Sequence, residues 1–288
     1  MRLLALLLLL LAGAPAGAQH LVIVGGGPRP PDVMARIAAL AGGAEGYLVV
    51  IPYASEEPEE TGAFQAAQFD TLGVGRTAVA GPSATAALLE GATGVFFSGG
   101  DQRRLAARLL GTPLLEAVRA VYARGGVVAG TSAGAAVMSR VMITGDERVS
   151  PDSARAPFST VEPGNVALAE GFGLLDDALG RPVVVDQHFV VRKRQNRLLS
   201  VTAEYPHLLG LGIDEETALV ARPDGALEVV GNRGVQVFDA SEACVAARGR
   251  GFSARGVRLH LLAPGDVVRP EALAPGVPGC LPMRSGLP

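Results

Sequence analysis

Val127-Val128-Ala129-Gly130-Thr131-Ser132-Ala133-Gly134 decides how this chain is read. An apolar β-type run ends in a G-x-S-x-G pattern, and a helix-like segment follows at once through residue 140. Strand, tight turn and helix in that order form the geometry of a nucleophile elbow. The reason is steric. A serine thrust outward on a strained turn tolerates only small neighbours, and backbone N–H groups at the start of the helix remain free for a developing oxyanion. An ordinary glycine-rich strand–helix turn has the same pattern, so the rest of the chain must supply a base and an acid.

Outward from the elbow, β-type runs alternate with helical patterns. Residues 21–24 read as a strand ending in Gly25-Gly26-Gly27, residues 47–53 as a second, and residues 95–98 as a third that ends in Gly99-Gly100. Residues 31–41, 57–72, 105–110 and 114–124 read as helices. This alternation predicts an α/β three-layer sandwich around a mostly parallel sheet. Ligands of such sheets bind beyond the carboxyl ends of the strands, where the three glycine-containing exits lie. Dinucleotide binding is excluded because Pro28, Pro30 and Pro31 stand where a G-x-G-x-x-G loop would open its helix. Residues 144–170 read as a long irregular insertion. A strand over 182–185 then runs into Asp186-Gln187-His188-Phe189, followed by a basic helix over 190–205. Residues 210–214, 218–221, 226–230 and 234–238 read as strands added to the sheet in antiparallel fashion.

Residues 1–18 stand apart. Met1-Arg2, a leucine-rich run and Ala16-Gly17-Ala18 make a secretory signal peptide with cleavage after Ala18. The apolar run is shorter than the roughly 20 residues a membrane span needs. The expectation is a protein exported to the periplasm or medium, with no membrane association after cleavage. The 270 remaining residues suffice for one large domain. A net charge of −3 carries no nucleic-acid footprint. Cys244 and Cys280 are compatible with a disulfide in an oxidising compartment or with two separate thiols. No His/Cys/Asp cluster has metal-ligand spacing, so neither a metal nor an organic cofactor is expected.

A serine hydroxyl needs a base, and the base needs an orienting acid. Of four histidines, His20 lies at the mature start, His207 in a turn and His260 in a tail strand. His188 follows an apolar strand, where a parallel sheet presents active-site groups. Asp186, Asp214, Glu215 and Glu216 are all candidate acids, and spacing does not choose among them.

The order serine, histidine, acid departs from the α/β-hydrolases. Four motifs then become specific together. Gly99-Gly100-Asp101-Gln102, Gly130-Thr131-Ser132-Ala133-Gly134-Ala135, Asp186-Gln187-His188-Phe189 and Gly212-Ile213-Asp214-Glu215 resemble, in order and rough spacing, those of the cyanophycinases of the peptidase E-like serine peptidase family. The likeness runs from about residue 20 to 240. Pro28-Arg29-Pro30-Pro31 departs from it, because that family carries charged residues after the first glycine loop.

The resemblance implies a flavodoxin-like fold, similar to class I glutamine amidotransferases, over residues 19–240, with 241–288 a C-terminal extension. It implies Ser132 as nucleophile, His188 as base and Glu215 as orienting acid, with pocket roles for Gln102, Asp186 and Gln187. Arg192, Arg194 and Arg197 match the family's R-x-R-x-x-R substrate-binding spacing, although they could equally form the solvated face of a helix. Gly100 and Ala133 are the candidate oxyanion donors. The expected substrate is an acidic peptide or cyanophycin, a poly-aspartate carrying arginine, cut to β-Asp-Arg dipeptides. An aspartyl dipeptidase or exopeptidase and an exported non-catalytic binding protein are the alternatives. Oligomeric state stays open, a homodimer included.

Overall fold

Alternation of buried residues along each strand sets the layers. In Val127–Thr131, Val127 and Ala129 face one core cluster while Val128 faces another; Val22 and Val24, against Leu21 and Ile23, repeat the division in His20–Val24. Successive side chains point to opposite faces, so a sheet apolar on both must be covered twice. The computed structural model describes residues 18–148, 157–248 and 251–273.

The elements run β1 (His20–Val24), α1 (Pro31–Leu40), β2 (Tyr47–Ile51), α2 (Pro58–Thr71), β3 (Arg76–Val79), β4 (Gly94–Phe97), α3 (Gln102–Leu109), α4 (Pro113–Ala123), β5 (Val127–Thr131), α5 (Ala133–Ala136), β6 (Val141–Glu147), β7 (Val166–Glu170), α6 (Leu174–Leu179) and β8 (Val183–Gln187). After them come α7 (Gln195–Glu204), β9 (Leu209–Ile213), β10 (Thr217–Ala221), β11 (Leu227–Gly231), β12 (Val235–Asp239), β13 (Cys244–Arg248), β14 (Gly251–Arg255), β15 (Arg258–Leu262) and β16 (Val267–Val268).

The main sheet has the order β16-β11-β10-β1-β5-β4-β2-β3. Its five strands from β1 to β3 are parallel, and β10, β11 and β16 extend it antiparallel. This is the expected α/β, flavodoxin-like arrangement. On one face α1 and α2 pack through Val33, Ile37 and Phe69. Phe69 meets Phe96 of β4 edge to face at 5.2 Å, a pairing worth about 1 kcal/mol beyond area burial. On the other face lie α3 to α6 and a second sheet of order β15-β12-β9-β8. That sheet buries its outer face under α7, around Phe189, Leu198 and Phe238.

Four expectations change. The strands at 210–214 and 234–238 do not extend the main sheet; β9 pairs parallel with β8 and antiparallel with β12 in the second one. The helix expected through residue 140 is one turn, because Phe172 and Leu175 N–H groups take the Val137 and Met138 carbonyls that would continue it. The helix expected over 190–205 starts only at Gln195. His188 and Lys193 have positive φ, and Asp214 captures the Val190 and Val191 N–H groups. The 144–170 insertion is bounded by the β6–β7 antiparallel pair, and residues 149–156 lie outside the described residues.

Beyond residue 240, β15 joins the second sheet and β16 the main one. The expected signal peptide and Cys280 lie outside the described residues, while Cys244 is exposed. Among the described residues no helix is long and apolar enough to cross a membrane.

Candidate active site

Ser132 sits at the exit of β5 with φ 54° and ψ −111°, a conformation L-residues rarely adopt. Such strain costs about 1–3 kcal/mol and persists only where its surroundings enforce it. Here the Ser132 N–H donates to Val24 O at 3.0 Å, and its carbonyl accepts from Ala135 and Ala136. Close packing completes the turn: a Cβ on Gly134 would stand 2.5 Å from Phe97 O. The side chain is left pointing at the sheet's carboxyl edge.

His188 emerges just beyond β8, in the second sheet, and still reaches β5. Its N–H donates to Gly25 O at 2.7 Å, while the Glu216 N–H donates to Gly26 O at 3.0 Å. The glycine loop after β1 is thus clamped between the two segments that carry the histidine and the acid. Ser132 Oγ lies 2.8 Å from His188 Nε2, and His188 Nδ1 lies 2.6 Å from Glu215 Oε1. Serine, imidazole and carboxylate form one continuous relay.

The other three candidate acids do different things. Asp186 is fully buried and forms a bidentate pair with Arg197. Asp214 accepts from Val190 and Val191 N–H at 3.0 and 3.1 Å, bracing the turn behind His188. Glu216 faces outward to Arg233 and Asn232.

Burial lowers the pKa of His188, and the cations Arg192 and Arg194 push it the same way against the opposing pull of Glu215. The ring is therefore neutral, and able to accept the Ser132 proton, at ordinary pH. The Gly100 and Ala133 N–H groups donate to no backbone carbonyl among the described residues. Both flank Ser132: a Cβ on Gly99, next to Gly100, would stand 3.4 Å from Ser132 Cβ.

The arginines divide. Arg197 is buried on Asp186, and Phe158 packs over it with its ring centroid 5.4 Å from the guanidinium carbon. Arg194 donates to the Gln187 carbonyl at 2.6 Å and to its side chain. Burial, with Arg197 beside it, lowers its pKa to about 10. Arg192 is half exposed, 3.9 Å from Glu215. The solvated helix face is therefore ruled out for Arg197 and Arg194. Together with Lys193, Gly145 and Phe158, these residues line a cavity of about 590 Å³. Gln102 is turned to structure, donating to the Ile143 and Thr144 carbonyls and so holding β6 over this cavity. Asp186 likewise meets an internal guanidinium rather than open solvent. Sequence reasoning passed over Phe158 and the bracing role of Asp214. Phe158 lay in a stretch without periodicity, and Asp214 was weighed only as an acid.

A surface-accessible serine with a neutral imidazole base, an orienting carboxylate and two N–H donors can perform acyl transfer. Among the described residues no group of three or more His, Cys, Asp or Glu is arranged to hold a metal.

Peptidase family S51 matches residues 21–229. The chain is 35% identical over 272 residues to the cyanophycinase of Trichormus variabilis, covering 88% of this chain and 86% of that protein. It is 36% identical over 269 residues to the cyanophycinase of Synechococcus elongatus, covering 87% and 79%. The crystal structure of a peptidase from an acI-B1 Actinobacterium aligns with a TM-score of 0.62 at 23% identity, over 88% of this chain and 98% of that one, a likeness of fold. The chain belongs to peptidase family S51 and is a serine-type peptidase.

Proposed function

We propose that this peptidase is exported and hydrolyses cyanophycin to β-Asp-Arg dipeptides through an acyl-enzyme on Ser132. The Ser132–His188–Glu215 relay carries the reading, and the cyanophycinases among its relatives support the substrate. Ser132 Oγ attacks a backbone carbonyl between two aspartates while His188 Nε2 takes its proton. Gly100 and Ala133 N–H groups hold the oxyanion, each such donor being worth about 3–4 kcal/mol. The C–N bond breaks as Nε2–H protonates the leaving amine, and water then cleaves the ester with His188 again as base. Glu215 keeps the ring in the tautomer that presents a bare Nε2. The basic cavity supplies guanidinium groups for substrate carboxylates, with Arg192 the most accessible. Residues 1–18 act as the export signal and are removed, residues 19–240 form the peptidase domain, and residues 241–288 extend it.

The test is incubation of residues 19–288 with insoluble cyanophycin and mass analysis of what dissolves. Release of Asp-Arg, lost in Ser132→Ala and His188→Ala, supports the proposal. Intact granules would overturn the substrate, and small aspartyl peptides would then be the class to assay.

A further inference from the structure

Pro28-Arg29-Pro30-Pro31, the stretch that departs from the family pattern, holds a cation that lacks a counter-charge. Arg29 lies between β1 and α1, and a proline on each side restricts the backbone that carries it. Its side chain makes one hydrogen bond, donating through Nη2 to Gln68 Oε1 of α2 at 2.7 Å. The Nε–H group is buried and has no partner among the described residues. Burial lowers the Arg29 pKa, and no carboxylate opposes that shift. Buried guanidinium groups are normally paired, because an isolated ion inside a protein is costly.

Two more unpartnered groups face the crevice that Arg29 spans. Gln65 is 3% exposed with its Oε1 unpartnered, and Ser98 is fully buried with its Oγ unpartnered. The edge-to-face contact of Phe69 with Phe96 sets their level. Gln65 stands four residues before Phe69 in α2, and Ser98 two residues after Phe96, on the same face of the sheet. Because α2 runs opposite to β4, both steps lead toward the carboxyl edge, each by about 6 Å. Gln65 and Gln68, three residues apart, share one side of α2, which brings the Arg29 guanidinium within a helical turn of Gln65.

We propose that Arg29, Gln65 and Ser98 form a binding site for one small monovalent anion, a halide such as chloride, between the start of α1, α2 and the end of β4. Arg29 Nε–H and Ser98 Oγ–H donate to it. The Gln65 amide, whose oxygen and nitrogen exchange by a half-turn, presents its N–H group. A single guanidinium calls for a single negative charge, whereas phosphate or sulfate would leave a surplus charge buried. The site also joins two loops of the relay. Arg29 lies two residues beyond Gly27, in the loop clamped between the segments of His188 and Glu216. Ser98 immediately precedes Gly99, which adjoins Ser132. A bound anion therefore fixes the seat of the imidazole relative to the Gly100 N–H, and raises the reactivity of Ser132.

The experiment holds residues 19–288 at constant ionic strength while potassium chloride replaces potassium gluconate, an anion too large to be buried there. Two quantities are read: Tm, and the rate at which a fluorophosphonate labels Ser132. Chloride at about ten times its Kd should raise Tm by about 3 °C. Labelling should accelerate severalfold with the same midpoint. Arg29→Gln, which has no charge to match, should lose both responses, and Ser98→Ala should move the midpoint to higher chloride. Anomalous diffraction from crystals grown in bromide should place one ion between Arg29, Gln65 and Ser98. A bromide there without either chloride response marks an adventitious ion only and overturns the proposal. Absence of a bromide peak, or an Arg29→Gln variant that responds like the wild type, overturns it as well. None of these readings uses cyanophycin, so the substrate proposal stands or falls separately.

Discussion

Gly26 and His188 occupy adjoining space: a Cβ on residue 26 would stand 2.5 Å from His188 Nε2, the atom that meets Ser132. The next residue repeats the relation with the acid, since a Cβ on Gly27 would stand 2.7 Å from Glu215 Oε2. Both glycines also have positive φ. The loop after β1 is bare so that imidazole and carboxylate can lie against it. Gly26→Ala is expected to displace the ring and lower kcat/KM about 100-fold or more, roughly 2.7 kcal/mol of transition-state stabilisation. Hydrolysis rates paired with a circular-dichroism melt check this. A folded variant of unchanged rate would show that the ring has room to spare.

Removing the relay has graded consequences. Ser132→Ala and His188→Ala should each lower kcat by about 10⁶-fold, because serine and histidine act as a unit. Glu215→Gln should cost about 10⁴-fold, since the amide no longer favours the correct tautomer. Labelling by a fluorophosphonate probe should follow the same ranking.

Acidity acts through His188. The base works only when neutral, so kcat/KM should rise with pH and level off below the ordinary histidine value of about 6.5. Arg192 is one of the charges that lower this pKa, so Arg192→Gln should move the acidic limb to higher pH. Stability carries the same sign. The unfolded chain holds this proton more tightly than the folded one, so stability from this group is present above about 6.5 and falls as pH drops towards the folded value. Kinetic profiles and melts between pH 4 and 8 test both.

The buried Asp186–Arg197 pair should be costly to break on one side. Asp186→Asn leaves a guanidinium buried without its counter-charge, an expected loss of about 3–5 kcal/mol. For a domain of this size that lowers Tm by about 10 °C. Asp186→Asn combined with Arg197→Met should recover much of it, because the uncompensated charge is gone. Thermal melts of the three variants decide the point.

Asp214 tests positioning. Its carboxylate holds two N–H groups of the turn that sets the His188 backbone. Asp214→Ala should lower kcat about tenfold with a smaller change in KM, and Asp214→Asn, which still offers an acceptor oxygen, should recover part of the rate. Steady-state kinetics on one soluble substrate separates the two parameters.

Most of the parallel sheet was legible in residues 20–131, because strands buried on both faces read as continuous apolar runs bounded by glycine. The elbow was legible because G-x-S-x-G encodes a local steric requirement. The second sheet was not. Residues 209–213 and 217–221 are equally apolar, and only the choice of partner sends one to β8 and the other to β1. Residues 190–194 have helical composition, yet Asp214 draws off the amide groups a helix would need.

The residues alone determined which chemical groups were present: a serine on a tight turn, a histidine at a strand end, four nearby carboxylates and a run of cations. Such groups are set by local pattern, which is written along the chain. Which carboxylate faces the imidazole depended on segments of two sheets meeting at the first glycine loop, and which cation is spent inside the protein depended on how α7 packs against β8. Glu215 meets the ring because β8, β9 and the first glycine loop converge, and Asp186 meets Arg197 because α7 folds back onto β8; no spacing along the chain records either contact.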